Sequence, residues 1–131
     1  MITTRSILLP ATVAVLALAG SATLADTGIM TGDTSIGEVL TDANGMTLYT
    51  FDQDVDGVSA CYNKCAENWP PLIAPAGAEP DEDFGLTERK DGTMQWTYYG
   101  MPLYTWIRDN APGDVTGDGF NNVWHAAQPQ D

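Results

Sequence analysis

Short runs of alternating apolar and polar residues, separated by turn-forming pairs, recur along this chain. Val39-Leu40-Thr41 leads into Asp42-Ala43-Asn44-Gly45, and Met46–Phe51 follows. Asn-Gly favours the positive φ angles of a two-residue hairpin turn. The flanking run, rich in Leu, Tyr, Thr and Phe, reads as a strand. Met94–Tyr98, the pair Tyr99-Gly100 and Met101–Trp106 repeat the arrangement, and Asp91-Gly92 marks a further hairpin joining Leu86–Arg89 to Met94–Tyr98. Side chains alternate across a strand, so Tyr49 and Phe51 share one face while Leu48 and Thr50 share the other. In the second run Tyr104 and Trp106 share a face with Pro102. These aromatic residues are assigned to the core, where each Tyr hydroxyl needs a hydrogen-bond partner. Only Cys61–Asn68 predicts a short helix, halted before Trp69-Pro70-Pro71. Asp26–Thr34, rich in Gly and Thr, reads as a loose N-terminus. Ile73–Asp83, with Pro75, Gly77 and Pro80, reads as a polar connector.

The two runs are copies of each other. Gly45-Met46-Thr47-Leu48-Tyr49-Thr50-Phe51 returns 55 residues later as Gly100-Met101-Pro102-Leu103-Tyr104-Thr105-Trp106. The offset holds without a gap from Gly37/Gly92 to Trp69/Trp124, and 8 of those 33 positions are identical, including Asp54/Asp109. Unrelated segments of ordinary composition would share about two. An internal duplication of this kind sets the architecture. The expected fold is mainly β: two pseudo-equivalent antiparallel repeats, about residues 37–72 and 86–127, packed on a shared aromatic core. Together they make one domain over 26–131, with at most one short helix near Cys61–Asn68.

The first 25 residues have the marks of an export signal. Arg5 supplies the positive start, Ile7–Ala19 the apolar stretch, and Ser21-Ala22-Thr23-Leu24-Ala25 the small residues a signal peptidase accepts. The apolar stretch is short for a membrane span. Cleavage is expected after Ala25, with Ala22 as the alternative. No Cys stands at that point, so the lipid-anchor signal is absent. The expected location is periplasmic or secreted.

The chain carries 5 basic and 18 acidic residues, a net charge of −13; without Arg5, the one charge in the first 25 residues, it is −14. Such a surface repels nucleic acid and anionic lipid and suits a cationic partner or bound cations. Solubility in an extracytoplasmic or saline setting is the favoured explanation over a specific acidic interface.

The paired Tyr-x-aromatic-x-x-Asp motifs, Tyr49-x-Phe51-x-x-Asp54 and Tyr104-x-Trp106-x-x-Asp109, resemble those of predicted lipoproteins named for that motif, a secreted repeat family of unknown function. The resemblance extends to Ser59-x-Cys61-x-x-x-Cys65-Ala66-x-x-Trp69-Pro70-Pro71-Leu72. In the second copy it takes in Pro112-Gly113-Asp114, Gly117 and Val123-Trp124-His125. It covers nearly all of the chain after the signal. It implies export and a duplicated small domain, and no established reaction. The chain departs from the pattern in lacking the lipobox and in placing Asn63 where a Gly is common.

Four groups of residues are candidates for chemistry. Cys61 and Cys65 are the only thiols, and export places them in an oxidising compartment. A structural disulfide is favoured over a redox-active pair or metal ligands, since the spacing is not Cys-x-x-Cys and no βαβ pattern surrounds it. Closing so short a loop would stabilise by about 2 kcal/mol. Asp52-x-Asp54-x-Asp56-Gly57 resembles the opening of a calcium loop, yet Asn63 stands where a bidentate Glu would be. Solvated turn carboxylates are the simpler reading, with Asp54 and Asp109 as repeat-specific residues accepting loop amides. His125, the sole histidine, with Met46 and Met101 would suit copper or heme, whereas equivalent methionines also fit a shared core. Four tryptophans and five tyrosines fill a core or form a binding platform; Tyr62, Tyr98 and Tyr99 fit either role.

The familiar hydrolase, zinc-protease and phosphate-loop motifs are missing, and a Ser-His-Asp arrangement could draw only on His125. The leading reading is therefore an exported non-enzymatic domain acting in binding or envelope structure. One alternative is a metal-handling or electron-transfer protein built on His125 and Met or Cys ligands. The other is a calcium-stabilised adhesion module.

Overall fold

The computed structural model describes residues 27–130. The signal segment and its cleavage point lie outside the described residues. The chain runs β1 (Met30–Thr34), β2 (Gly37–Thr41), β3 (Tyr49–Phe51), α1 (Lys64–Asn68), β4 (Ile73–Ala74), β5 (Phe84–Glu88), β6 (Met94–Tyr98), β7 (Met101–Pro102) and β8 (Trp124–Ala126). All strand pairings are antiparallel: β1 with β2, β3 with β8, and β6 with β4, β5 and β7. The mainly β expectation, with one short α-helix, holds.

Three local expectations need correction. The N-terminal stretch is not loose: Met30–Thr34 pairs in register with Gly37–Thr41, and Ile29 is buried. Its Thr residues suit a strand, but the absence of apolar alternation hid it. Ile73 and Ala74, assigned to the connector, form β4 on β6. The Asn44-Gly45 turn is not a two-residue hairpin. Thr41 bridges Thr47 around a five-residue loop, in which Asp42 Oδ1 accepts the amides of Asn44 and Met46. An Asp side chain that mimics a backbone acceptor has outcompeted the tighter turn. The second copy does use the two-residue turn, with Tyr99 at φ 47° and Gly100 at φ 81°.

The two repeats interlock by exchanging their last segments. Residues 124–126 of the second repeat pair with 49–51 of the first. Correspondingly, Pro71 of the first repeat bridges Tyr104 of the second, and Pro70 O accepts the Thr105 amide. At the centre, Tyr49 and Tyr104 exchange backbone hydrogen bonds of 2.7 and 3.0 Å. On either side a ring of three main-chain bonds closes. Leu40 N donates to Ala127 O, Ala127 N to Leu48 O, and Leu48 N to Leu40 O. Trp96, Leu72 and Leu103 form the matching ring. Each ring draws segments from both repeats, so the buried amides of one half are satisfied only when the other is present.

Alternation along the central segments separates two cores. Leu48 and Leu103 enter an apolar cluster with Ile29, Leu40, Ala74, Trp96, Tyr98 and Ala127. Tyr49 and Tyr104 enter an aromatic cluster with Cys61, Trp69, Trp106 and Trp124. There Phe51, Trp124, Trp69 and Trp106 form a continuous stack, with successive ring centroids 4.1, 3.8 and 3.8 Å apart. The equivalent tryptophans, Trp69 and Trp124, lie 2° from parallel at its middle. Tyr49 and Tyr104 meet them edge-on at 5.3 and 5.1 Å, an arrangement that suits the ring quadrupoles. Gly117 lies under this stack, where a Cβ would come within 2.7 Å of the Trp69 ring.

Cys61 and Cys65 are joined in a disulfide at the edge of the aromatic cluster, with Cα atoms 5.2 Å apart. Between them Asn63 adopts φ 58°. Gly adopts a positive φ at no steric cost, which suits it to this position.

Candidate functional site

Each repeat's motif tyrosine is held by the other repeat's motif aspartate. Tyr49 OH donates to Asp109 Oδ2 at 2.7 Å, and Tyr104 OH donates to Asp54 Oδ2 at 2.7 Å. The remaining oxygens order the loops. Asp109 Oδ1 accepts Thr116 N and Oγ1, and Asp54 Oδ1 accepts Ala60 N. The sequence motif is therefore a reciprocal clasp between the repeats. Both tyrosines are fully buried, and burial pushes their hydroxyls well above the usual range, with the neighbouring carboxylates adding to the effect. Burial also raises the Asp54 carboxyl, against the pull of the Ala60 amide, the Tyr104 hydroxyl and nearby Arg89.

Removing either tyrosine hydroxyl leaves one carboxylate oxygen, Asp109 Oδ2 or Asp54 Oδ2, without its donor. Tyr49→Phe should cost about 2–3 kcal/mol and Tyr104→Phe about 1–2 kcal/mol, within the range for an orphaned buried polar group. The order follows from burial and connectivity. Asp109 is only 7% exposed, and the Tyr49 hydroxyl also accepts Gly117 N; Asp54 is half-buried. Urea unfolding of the two variants checks the ranking.

One cation is buried beside the second clasp. Arg89, 6% exposed, donates Nη1 to Ser59 Oγ and Gln95 Oε1, and Nη2 to Cys61 O. Its guanidinium lies 4.2 Å from the Tyr62 ring centroid. Ser59 in turn bonds the Tyr104 hydroxyl at 2.7 Å. The sequence reading missed Arg89, which ends a strand before Lys90-Asp91-Gly92 and looks like an ordinary turn-flanking residue. The only available signal was scarcity, since the whole chain has 5 basic residues.

An open cleft of about 490 Å³ adjoins this region. It is lined by Thr50–Asp52, Asp54, Asp56 and Gly57 of the first repeat, and Gly100, Met101 and Pro102 of the second. Phe51, Met101 and Pro102 give it an apolar floor. Met101 is exposed, as are Val55 and Val58 of the short bridge that carries Asp56-Gly57. Asp52 and Asp56 provide exposed carboxylates.

The remaining candidates are distributed as follows. Asp52, Asp54 and Asp56 share this cleft, but both oxygens of Asp54 already have protein donors, and Asp52 Oδ2 lies 2.8 Å from His125 Nε2. Among the described residues no group of three or more His, Cys, Asp or Glu is arranged to hold a metal ion. His125 thus pairs with Asp52, Met101 sits in the cleft, and Met46 sits in the loop closed by Asp42. Phe51 and Trp106 end the aromatic stack. Tyr62 carries Arg89 and Lys90 on its ring, Tyr98 is buried with its hydroxyl accepting Gln130 N, and Tyr99 is exposed at a turn.

Interlocked β halves, a disulfide and a cross-repeat clasp define a duplicated repeat module. The chain belongs to the family described as secreted repeat of unknown function, whose model matches residues 30–73 and again 85–128. The matched spans coincide with the two interlocked halves, and the family description names no reaction. No curated protein and no solved structure gives a significant match. Among the described residues no helix is long and apolar enough to cross a membrane.

Proposed function

We propose that this chain is an exported, non-catalytic binding module whose acid-rimmed cleft takes a cationic group carried on an apolar one, such as a Lys-bearing segment of another exported protein. The observation that carries this reading is the cleft itself. Its floor of Phe51, Met101 and Pro102 is apolar, its rim carries Asp52 and Asp56, and residues of both repeats form its walls. Burial of an alkyl or aromatic group on that floor would supply affinity, and the carboxylates would select a positive charge. The net charge of −13 favours encounter with such a partner.

Titration calorimetry with a short Lys-Phe peptide tests the reading. Binding is expected to weaken with salt. It should fall about tenfold in the double variant Asp52→Asn, Asp56→Asn, equivalent to about 1.4 kcal/mol. A neutral Gln-Phe peptide binding equally well would overturn it. Calcium or copper(II) chloride, titrated alone and binding stoichiometrically with loss in the same variant, would replace it with a metal-binding role.

A further inference from the structure

The contacts between the halves are reciprocal, and a single exposed connector links them. The backbone exchange at Tyr49/Tyr104, the two Tyr–Asp bonds, the Trp69/Trp124 stack and the two three-bond rings each join the first repeat to the second. No contact in this set requires both repeats to come from the same chain. Residues 75–83 cross from β4 to β5, and apart from half-buried Ala78 all of them are exposed.

We propose that a second copy of this chain is a partner of this fold, taken up by reciprocal exchange of repeats. The first repeat of each copy docks on the second repeat of the other. The product is a closed two-fold dimer of two complete units, with every contact between the repeats preserved. Exchange of an identical element is a low-cost route to dimers because it needs no new interface. The cleft described above is lined from both repeats, so each cleft of the dimer would be built from two chains. The exchange does not depend on what the cleft binds.

The connector decides between the closed chain and the dimer. β4 and β5 flank β6, so they are about 10 Å apart across the sheet. Ala74 lies opposite Met94 and Phe84 opposite Tyr98, four residues further along β6, or about 13 Å. The connector must therefore span about 16 Å. Its native length reaches about 33 Å fully extended, and the linked halves then meet at an effective concentration in the millimolar range. The unaltered chain is accordingly expected to be a monomer at micromolar concentration and to exchange repeats as its own concentration approaches the millimolar range.

Two experiments on the full exported chain test the exchange. Deleting residues 75–81 leaves three Cα steps between Ala74 and Phe84, at most about 11 Å, too short for the closed chain. Light scattering after size exclusion should find a dimer with the circular dichroism of the unaltered protein. A folded monomer would overturn the proposal, and so would a variant that cannot fold at any concentration. The second experiment needs no deletion. Trp69→Ala and Trp124→Ala chains are mixed in denaturant and refolded at high concentration. Each mixed dimer then contains one unit with both substitutions and one with neither. A melting transition at the temperature of the unaltered protein, absent from either variant alone and confined to a dimer fraction, is expected with about a quarter of the full amplitude, since random pairing makes half of the dimers mixed. A mixture that melts as the sum of its two components would rule exchange out.

Discussion

Trp69→Ala and Trp124→Ala should each destabilise the whole molecule by about 3–5 kcal/mol and leave it melting in one step. Both rings are 3% exposed, they stack at 3.8 Å, and each also touches a neighbour of its own, Trp106 for Trp69 and Phe51 for Trp124. Removing one ring therefore opens a cavity in the middle of four stacked aromatics and breaks the contact on either side. Domains of this size lose about 4–8 °C in Tm per kcal/mol, so the melting temperature should fall by more than about 12 °C. The distinctive expectation is cooperativity. Each backbone ring and each Tyr–Asp pair spans both repeats, so one half cannot remain ordered after the other has melted. Near- and far-ultraviolet circular dichroism should give superimposed transitions. Two resolved transitions would show that the halves hold together separately.

Alkaline pH should unfold the protein steeply, beginning near pH 10. Tyr49 and Tyr104 have hydroxyl pKa values raised above 10.0 in the fold, by burial first and by their carboxylate partners next. The sign follows from proton counting. A raised folded-state pKa means that the native protein holds the proton where the unfolded chain has released it. The stabilisation is complete below pH 10 and is lost as pH rises through the folded values. With two such groups the loss approaches about 2.7 kcal/mol per pH unit. Two units of pH then remove about 5 kcal/mol, which matches the lower end of the stability of a typical domain. Tyrosinate absorbance followed with far-ultraviolet dichroism checks this. The ionisation of two tyrosines should coincide with unfolding. In Tyr49→Phe the pH dependence above 10 should be halved, on a protein already less stable at neutral pH. Smooth titration of every tyrosine in a protein that stays folded would contradict the buried clasp.

Much of the architecture was legible because it is local or repeated. The duplication needs only an offset of 55, and the offset still works beyond the identical residues: Leu72 and Ala127, 55 apart, occupy matching places in the two backbone rings. Alternation alone placed Tyr49 with Phe51 and Leu48 on the opposite side. Its physical meaning was larger than a single covered face, since Leu48 enters one core and Tyr49 another. The strand Met30–Thr34 was not legible. Its residues lack apolar alternation, and its pairing with Gly37–Thr41 declares itself only in three dimensions. Arg89 was equally hidden, because a buried cation is recognised by Ser59, Gln95 and the Cys61 carbonyl around it, residues 6 to 30 positions away.

By itself, the sequence determined that the chain is duplicated and mainly β, and that its cysteines have each other as their only intramolecular partners. Turn residues, period-two alternation and self-similarity act within a few residues or by direct comparison, so one dimension suffices for them. Only the tertiary structure decided that Tyr49 belongs to Asp109 rather than Asp54, and Tyr104 to Asp54 rather than Asp109. Within each motif the tyrosine and aspartate are five residues apart, and spacing alone would pair them locally. The fold pairs them across the repeats because each half, too small to bury its own aromatic face, completes its core and its backbone hydrogen bonds with the other half.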